Sequence, residues 1–487
     1  MQRVMLPRTS VVVVILALAA CGPRAGTMEG AAQALGAANL RSIEFSGSGR
    51  WFQFGQAPSP SLPWPQFDVS AYSSAINFDS SSARVRMTRI QTVEPGRVRP
   101  TPVTQSPEQV VSGTFAWNIA VPAGSPAGTP PAAQPTPAAV EERTAEIWST
   151  PQGFVKAAMA NNAAVQPAGG GSTVTFTAAG HRYEGTINAQ NQVERVRSWI
   201  DNSILGDTLV ETVFSEYRDF GGVQFPARIA RSQGGHPVLD LTVANVSANP
   251  AVDITVPDNV RNFTPAAAVA QAERLAPGVF HITGGSHHSV AIDQADHIVV
   301  VEGPQSEARS LAVIAKVKET IPNKPIRFLV NSHVHFDHSG GLRTWVDEGA
   351  TIVTHEVNKP YYEQAWAAPR TLNPDRLAKS QKTAQFQTFG AAPLVLTDGK
   401  RRIEVHAFAG NGHNDAFAIV YLPAEKILIE VDAYAPPAAG APIPAPPSPF
   451  AVNLDDNIVR LKLDVARIVP LHGRVGTLAE LRTVIGR

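Results

Sequence analysis

The chain has 487 residues, 41 basic against 41 acidic, 13 His and one Cys, with 17% charged and 44% hydrophobic residues. That length exceeds the usual single core, so two domains are expected, and a zero net charge without any basic run argues against a nucleic-acid partner. A lone cysteine rules out an intrachain disulfide and any Cys-based zinc site, while 40 Pro and 37 Gly call for long loops or linkers.

In chain order, Arg3 and Arg8 precede the apolar run Val11–Leu18, which is too short for a comfortable transmembrane span. Leu18-Ala-Ala-Cys21 resembles the lipobox of bacterial lipoproteins. The resemblance implies that residues 1–20 are a signal peptide and that the Cys21 thiol takes a diacylglyceryl group. The protein is then exported and tethered to a membrane through its lipid, on the periplasmic side or the cell surface.

Residues 21–262 read as a β-rich antiparallel accessory domain. Ser42–Ser46, Arg50–Phe54, Ala83–Ile90, Val174–Thr177, Val193–Ile200, Asp207–Phe214 and Leu239–Val246 alternate with period two, the pattern of strands with one buried and one wet face. Val121–Val140, rich in Pro and Ala, is expected to be a flexible excursion within this domain. Tyr217–Ile229 (YRDFGGVQFPARI) resembles the strand-turn-strand of outer-membrane lipoprotein carrier-like domains, which implies a curved antiparallel sheet closing on a helix. His181 and His236 stand alone and read as structural.

Residues 263–487 hold 11 of the 13 His. Val279–Ile292 and His297–Glu302 read as two strands joined by a turn at 293–296, Glu307–Thr320 as a helix stopped before Pro322. Ile326–Val330 is a short buried strand that empties into Asn331-Ser-His-Val-His-Phe-Asp-His-Ser-Gly-Gly341. Three imidazoles and a carboxylate in six residues form a first-row metal cluster, suited to zinc, iron or manganese. In extended backbone His333 and His335 project to one side and can share an ion; Asp337 and His338 lie past the bend and point toward a second. A helix is expected over 341–348, a strand over Thr351–Thr354, and a helix over Glu356–Ala367 interrupted near Pro360. This strand-helix alternation signals an α/β sandwich. Three more candidate ligands, His413, Asp432 and His472, lie at the ends of apolar runs, where α/β proteins build sites.

The order His333-x-His335-x-Asp337-His338, then His413, Asp432 and His472, resembles the metallo-β-lactamase superfamily over roughly the last 210 residues. The resemblance implies an αβ/βα four-layer sandwich with a dinuclear site at one edge of two sheets. It places His333, His335 and His413 on one metal, Asp337, His338 and His472 on the other, and Asp432 between them. Lactamase members generally carry Cys or Ser near position 432, whereas glyoxalase II-like and lactonase-like hydrolases carry Asp. The implied function is a dinuclear hydrolase with two divalent ions, zinc first, cleaving an ester, thioester, lactone or amide-type bond of a small molecule. A metal-activated hydroxide is its nucleophile, with Asp337 as catalytic acid and base. The alternatives are a β-lactamase and a non-catalytic lipid- or lipoprotein-binding carrier on a metal-stabilised scaffold.

Among the remaining residues, Glu302 is expected to support a ligand from behind. His287–His288 are candidates for substrate contact and His355 for a place near the second metal. His281, His297 and His406 read as structural, and Tyr361–Tyr362 as helix packing. The proline-rich stretch Ala433–Phe450 is expected to form a stiff flap over the site with Tyr434 or Phe450 as apolar contacts, followed by a helix over Leu454–Val465.

Overall fold

The structure is a computed structural model that describes residues 26–122, 124–126, 128–438 and 440–487. The signal-like segment and Cys21 lie outside the described residues. Among the described residues no helix is long and apolar enough to cross a membrane.

The first half is one antiparallel sheet of 13 strands among the described residues. It meanders outward from Ser42–Phe52, which pairs on its other side with the last strand, His236–Ala248. Ser42–Ser46 and Arg50–Phe52 belong to one long strand, bent where the register slips near Gly47. One face of the sheet packs against the helices Val140–Trp148 and Pro151–Ala160. Ile147, Phe154 and Val155 pack there on Phe45, Tyr72, Phe225 and Leu241. Tyr217–Ile229 is a strand-turn-strand, with strands to Asp219 and from Gln224.

Val121–Val140 is not wholly an excursion. Ala132–Pro135 forms the outermost strand and pairs with Phe115–Ala120, and Val140 opens a helix. Pro135 is tolerated because an edge strand leaves one side of its backbone unpaired.

The second half is an αβ/βα sandwich. A seven-stranded sheet runs from Gln271–Ala276 to Phe386–Phe389, antiparallel at first and parallel from Ile298–Val301 onward. A six-stranded sheet, Leu394–Thr397 to Gly476–Thr477, packs against it. Alternation along the buried strands explains the layers. Val299, Val301, Val330 and Val353 face the other sheet, while Ile298, Val300, Leu329 and Ile352 face the helices Glu307–Thr320, Leu342–Glu348 and Asn358–Trp366. The helices Pro449–Arg460 and Leu478–Ile485 cover the far side through Leu454, Ile458, Leu481 and Ile485.

Several elements differ from expectation. Val279–Ile292 is two strands, Val279–Thr283 and Ser289–Asp293, because Gly284 (φ 98°) breaks the ladder. Asn358–Trp366 is uninterrupted; Pro360 sits in its first turn, where a missing N–H costs nothing. The helix expected over Leu454–Val465 starts at Pro449, a first-position proline, and stops at Arg460.

The halves are joined by hydrogen bonds around Arg370 and Asp207. Arg370 donates to the carbonyls of Asn202, Ser203 and Ile204, and Asp207 accepts from the Thr371 and Leu372 amides.

Candidate metal centre

The strand Ile326–Val330 ends at Asn331, a fully buried residue that organises the loop after it. Its Nδ2 donates to the carbonyl of His333 at 3.0 Å, and its Oδ1 accepts from the Tyr362 hydroxyl at 2.7 Å. The loop then turns into a single helical turn, Phe336–Ser339. His333 and His335 precede that turn, while Asp337 and His338 lie within it, so the two pairs diverge as their spacing predicts.

Two clusters of potential ligands result. His333, His335, His413 and Asp432 form one, and His287, Asp337, His338 and His472 the other; within each, the ligand atoms all lie within 4.8 Å of one another. All seven residues singled out from the sequence come together. Asp432 stands between the clusters. Its Oδ1 is 3.0 Å from His472 Nε2, and its Oδ2 is 3.0 Å from His338 Nε2 and 3.1 Å from His413 Nε2. Asp432 (φ 57°) and Glu302 (φ 75°) both hold the left-handed backbone conformation, which is uncommon for non-glycine residues.

The surroundings fit cations. His333 Nε2 and His335 Nδ1 are buried without a hydrogen-bond partner. His335 Nε2 lies 2.9 Å from the carbonyl of Ala57, which can only accept; the proton is therefore on Nε2, and Nδ1 keeps its lone pair. Burial, with the neighbouring imidazoles, pushes His333 and His335 well below the usual histidine range, so both stay neutral. Burial opposes ionisation of Asp432, yet His338, His413 and His472 outweigh it and hold the carboxyl well below the usual carboxylate range. Glu302, fully buried, faces His338 Nδ1 at 3.7 Å from behind, the place of a carboxylate that orients a metal-binding imidazole. Glu302, Asp337 and Asp432 have histidines alone as basic neighbours within 4.0 Å, and no Lys or Arg neutralises them among the described residues.

Of the other histidines, His287 enters the second cluster, its Nε2 3.2 Å from Asp337 Oδ2 and its ring 4.1 Å from that of His472. His288, its sequence neighbour, turns away to His281 and the carbonyl of Gly285. His355 joins neither cluster and packs on Phe389. His281, His297 and His406 are buried in or beside strands. Tyr362 packs within its helix layer and also holds the ligand loop through Asn331.

Sequence reasoning missed Asn331, Gln56 and Ala57. The Gln56 amide donates to Asp337 Oδ1 at 2.9 Å across 281 residues of sequence, and no local pattern marks it.

This sandwich carries two His/Asp clusters in the loops at its strand ends, an arrangement that could hold metal ions. Residues 282–476, within the sandwich of the second half, match the family model of the metallo-beta-lactamase superfamily. Similar solved structures include a metallo-beta-lactamase from Pontibacter korlensis, 19% identical over 45% of this chain and 97% of its own, with a TM-score of 0.32. A metallo-beta-lactamase from Hirschia baltica is 16% identical over 45% and 97%, with a TM-score of 0.32. Rubredoxin oxygen:oxidoreductase from Desulfovibrio gigas is 14% identical over 44% and 60%, with a TM-score of 0.36. No curated protein matches the chain in sequence. The superfamily and the two clusters together support divalent-metal binding and a metal-dependent hydrolase kind of chemistry.

Proposed function

We propose that the chain is a dinuclear metallohydrolase that cleaves an ester, thioester, lactone or amide-type bond in a small molecule. The observation that carries this reading is Asp432, a member of the first cluster with one oxygen toward His472 and the other toward both His338 and His413, so that it reaches into the second cluster as well. His333, His335 and His413 would hold one divalent ion and Asp337, His338 and His472 the other, with Asp432 common to both. Zinc comes first, and iron or manganese suit the same donors. When bound, such a pair acidifies water and polarises a carbonyl oxygen.

The chain's own residues then do the rest. His333, His335 and His338 are buried and keep bulk water from the floor of the site, whereas the Asp337 side chain is 41% exposed and meets whatever enters. Asp337 Oδ2 faces His287 and His338; Oδ1, bonded to Gln56, is the atom that can take a proton from an attacking water and return it to the leaving group. A cleft of about 570 Å³ opens beside Asp432 and His472, walled by Tyr434, Pro437, Pro444 and Ala451. It offers an apolar seat next to the reacting centre and supports the flap reading of the proline-rich stretch. Phe450 packs instead on the His413 ring, at 5.6 Å.

The test is metal analysis paired with a hydrolysis panel of thioester, lactone and cephalosporin probes. Two metals per chain and turnover of one probe class are expected, with Asp337→Asn lowering kcat by about 10²–10⁴-fold. Two bound metals without turnover across the panel would favour the carrier reading, and cephalosporin as the preferred probe would favour the β-lactamase. Export and lipid attachment at Cys21 complete the proposal, supported by the lipobox-like Leu18–Cys21.

A further inference from the structure

The superfamily match starts at residue 282, yet part of the wall of the metal centre comes from residues 54–58. The 53–65 loop leaves the strand Ser42–Phe52 and runs along both histidine-bearing loops of the other half. At the backbone level, Phe336 N donates to Gly55 O at 3.1 Å and Asp415 N to Pro58 O at 2.7 Å. Between these anchors, Ala57 O faces His335 Nε2 at 2.9 Å and also accepts from Asn414 Nδ2 at 3.2 Å. The Gln56 amide reaches Asp337 Oδ1 at 2.9 Å. Phe54 meets the Phe336 ring edge-on at 5.1 Å. Gly55 makes the approach possible: it stands at φ +75°, and a Cβ there would lie 2.5 Å from the Phe336 ring.

A second loop of the first half does the same on the His413 side. Arg97 forks onto Asp415 at 2.8 and 3.0 Å, and Arg99 donates to Gly412 O at 2.9 Å. A Cβ at Gly412 would collide with the carbonyl of Val98. The two halves therefore meet at the ligand loops themselves.

We infer that the metal centre is completed across the boundary between the halves. The Ala57 carbonyl sets the tautomer of His335, and Gln56 is a positioning residue that fixes the Asp337 carboxylate. A metal-ligating imidazole whose second nitrogen is held by a carbonyl is oriented and made more basic, and loss of such an outer contact costs about 10–100-fold in metal affinity or activity. The β-rich half is then part of the catalytic unit rather than a passenger. This inference rests on the metallohydrolase reading.

The experiment compares full-length Gln56→Ala, Gln56→Met (which keeps length but has no amide), Gly55→Ala and, as a control, His335→Ala. Cobalt(II) is the probe, read by its visible spectrum and by the chelator concentration that strips it; kcat and KM are measured alongside. Both Gln56 variants are expected to lose about tenfold or more in cobalt retention or kcat with KM little changed. Gly55→Ala, which pushes the whole loop away, should also alter the cobalt spectrum. Parent-like spectra and chelator midpoints in all three, with cobalt lost in His335→Ala, would overturn the inference and leave the metallohydrolase reading standing. Parent and His335→Ala alike failing to bind cobalt would instead bring down that reading, and the inference with it.

Discussion

Asn331→Ala tests whether the ligand loop is held from behind. The side chain is fully buried and makes five contacts: 2.7 Å from the Tyr362 hydroxyl, 3.0 Å to His333 O, and three longer ones to Thr354, His338 O and Glu302 at 3.3 to 3.4 Å. Only the two short bonds have good length, and each is worth about 1–1.5 kcal/mol net. Tyr362 keeps a 3.3 Å bond to His333 O after the change, so its loss is partial. Glu302 Oε1 does not keep a donor, and an orphaned buried carboxylate oxygen adds about 1–3 kcal/mol. The expected destabilisation is about 3–5 kcal/mol, read as a shift in the urea midpoint of the metal-free chain, provided the m-value stays at the parent's. Cobalt retention should fall with it, because His333 O and His338 O lose their common donor. A shift below about 1 kcal/mol with unchanged cobalt retention would show that the loop holds its shape without Asn331, and the argument for a pre-built site would fail.

Removing residues 436–447 should change KM or probe preference while metal content holds, because the deleted stretch walls the apolar cleft and contributes no ligand; unchanged kinetics would make it a connector. His281 is buried and its imidazole is pushed down from 6.5 to about 4 by burial, with a smaller contribution from His288. The unfolded chain then binds this proton first, so stability present above pH 6.5 is lost as pH falls toward 4, by up to about 3 kcal/mol. His281→Gln should flatten that part of the pH–stability curve, and an unchanged slope between those values would refute the assignment. Cys21→Ala should release the chain from the membrane fraction of an expressing bacterium; continued sedimentation with membranes would count against lipid attachment there.

Much of the second half was legible along the chain. The helix Glu307–Thr320 and the strand Ile326–Val330 follow from local periodicity and end where a proline or a polar loop stops them. The seven candidate ligands stand out along the chain because a metal site draws on rare residue types, gathered here at the ends of apolar runs. Local pattern was less reliable where a segment's partner decides its state. Ala132–Pro135 becomes a strand only because Phe115–Ala120 offers it an edge. Pro360 breaks nothing because of where the helix happens to start.

What the residue order marked out by itself was a set of candidate donors: His333, His335, Asp337, His338, His413, Asp432 and His472, which the fold brings together in two clusters. What only the tertiary structure decided was the company they keep: His287 rather than His288 beside Asp337, His338 as the histidine that Glu302 faces, and a loop from the first half against His335 and Asp337. Those contacts join residues up to 281 positions apart, through a carbonyl and an amide that every sequence contains in abundance. Hydrogen bonds of that kind leave no mark on composition or period; they exist only once two packed layers have fixed which backbones lie side by side.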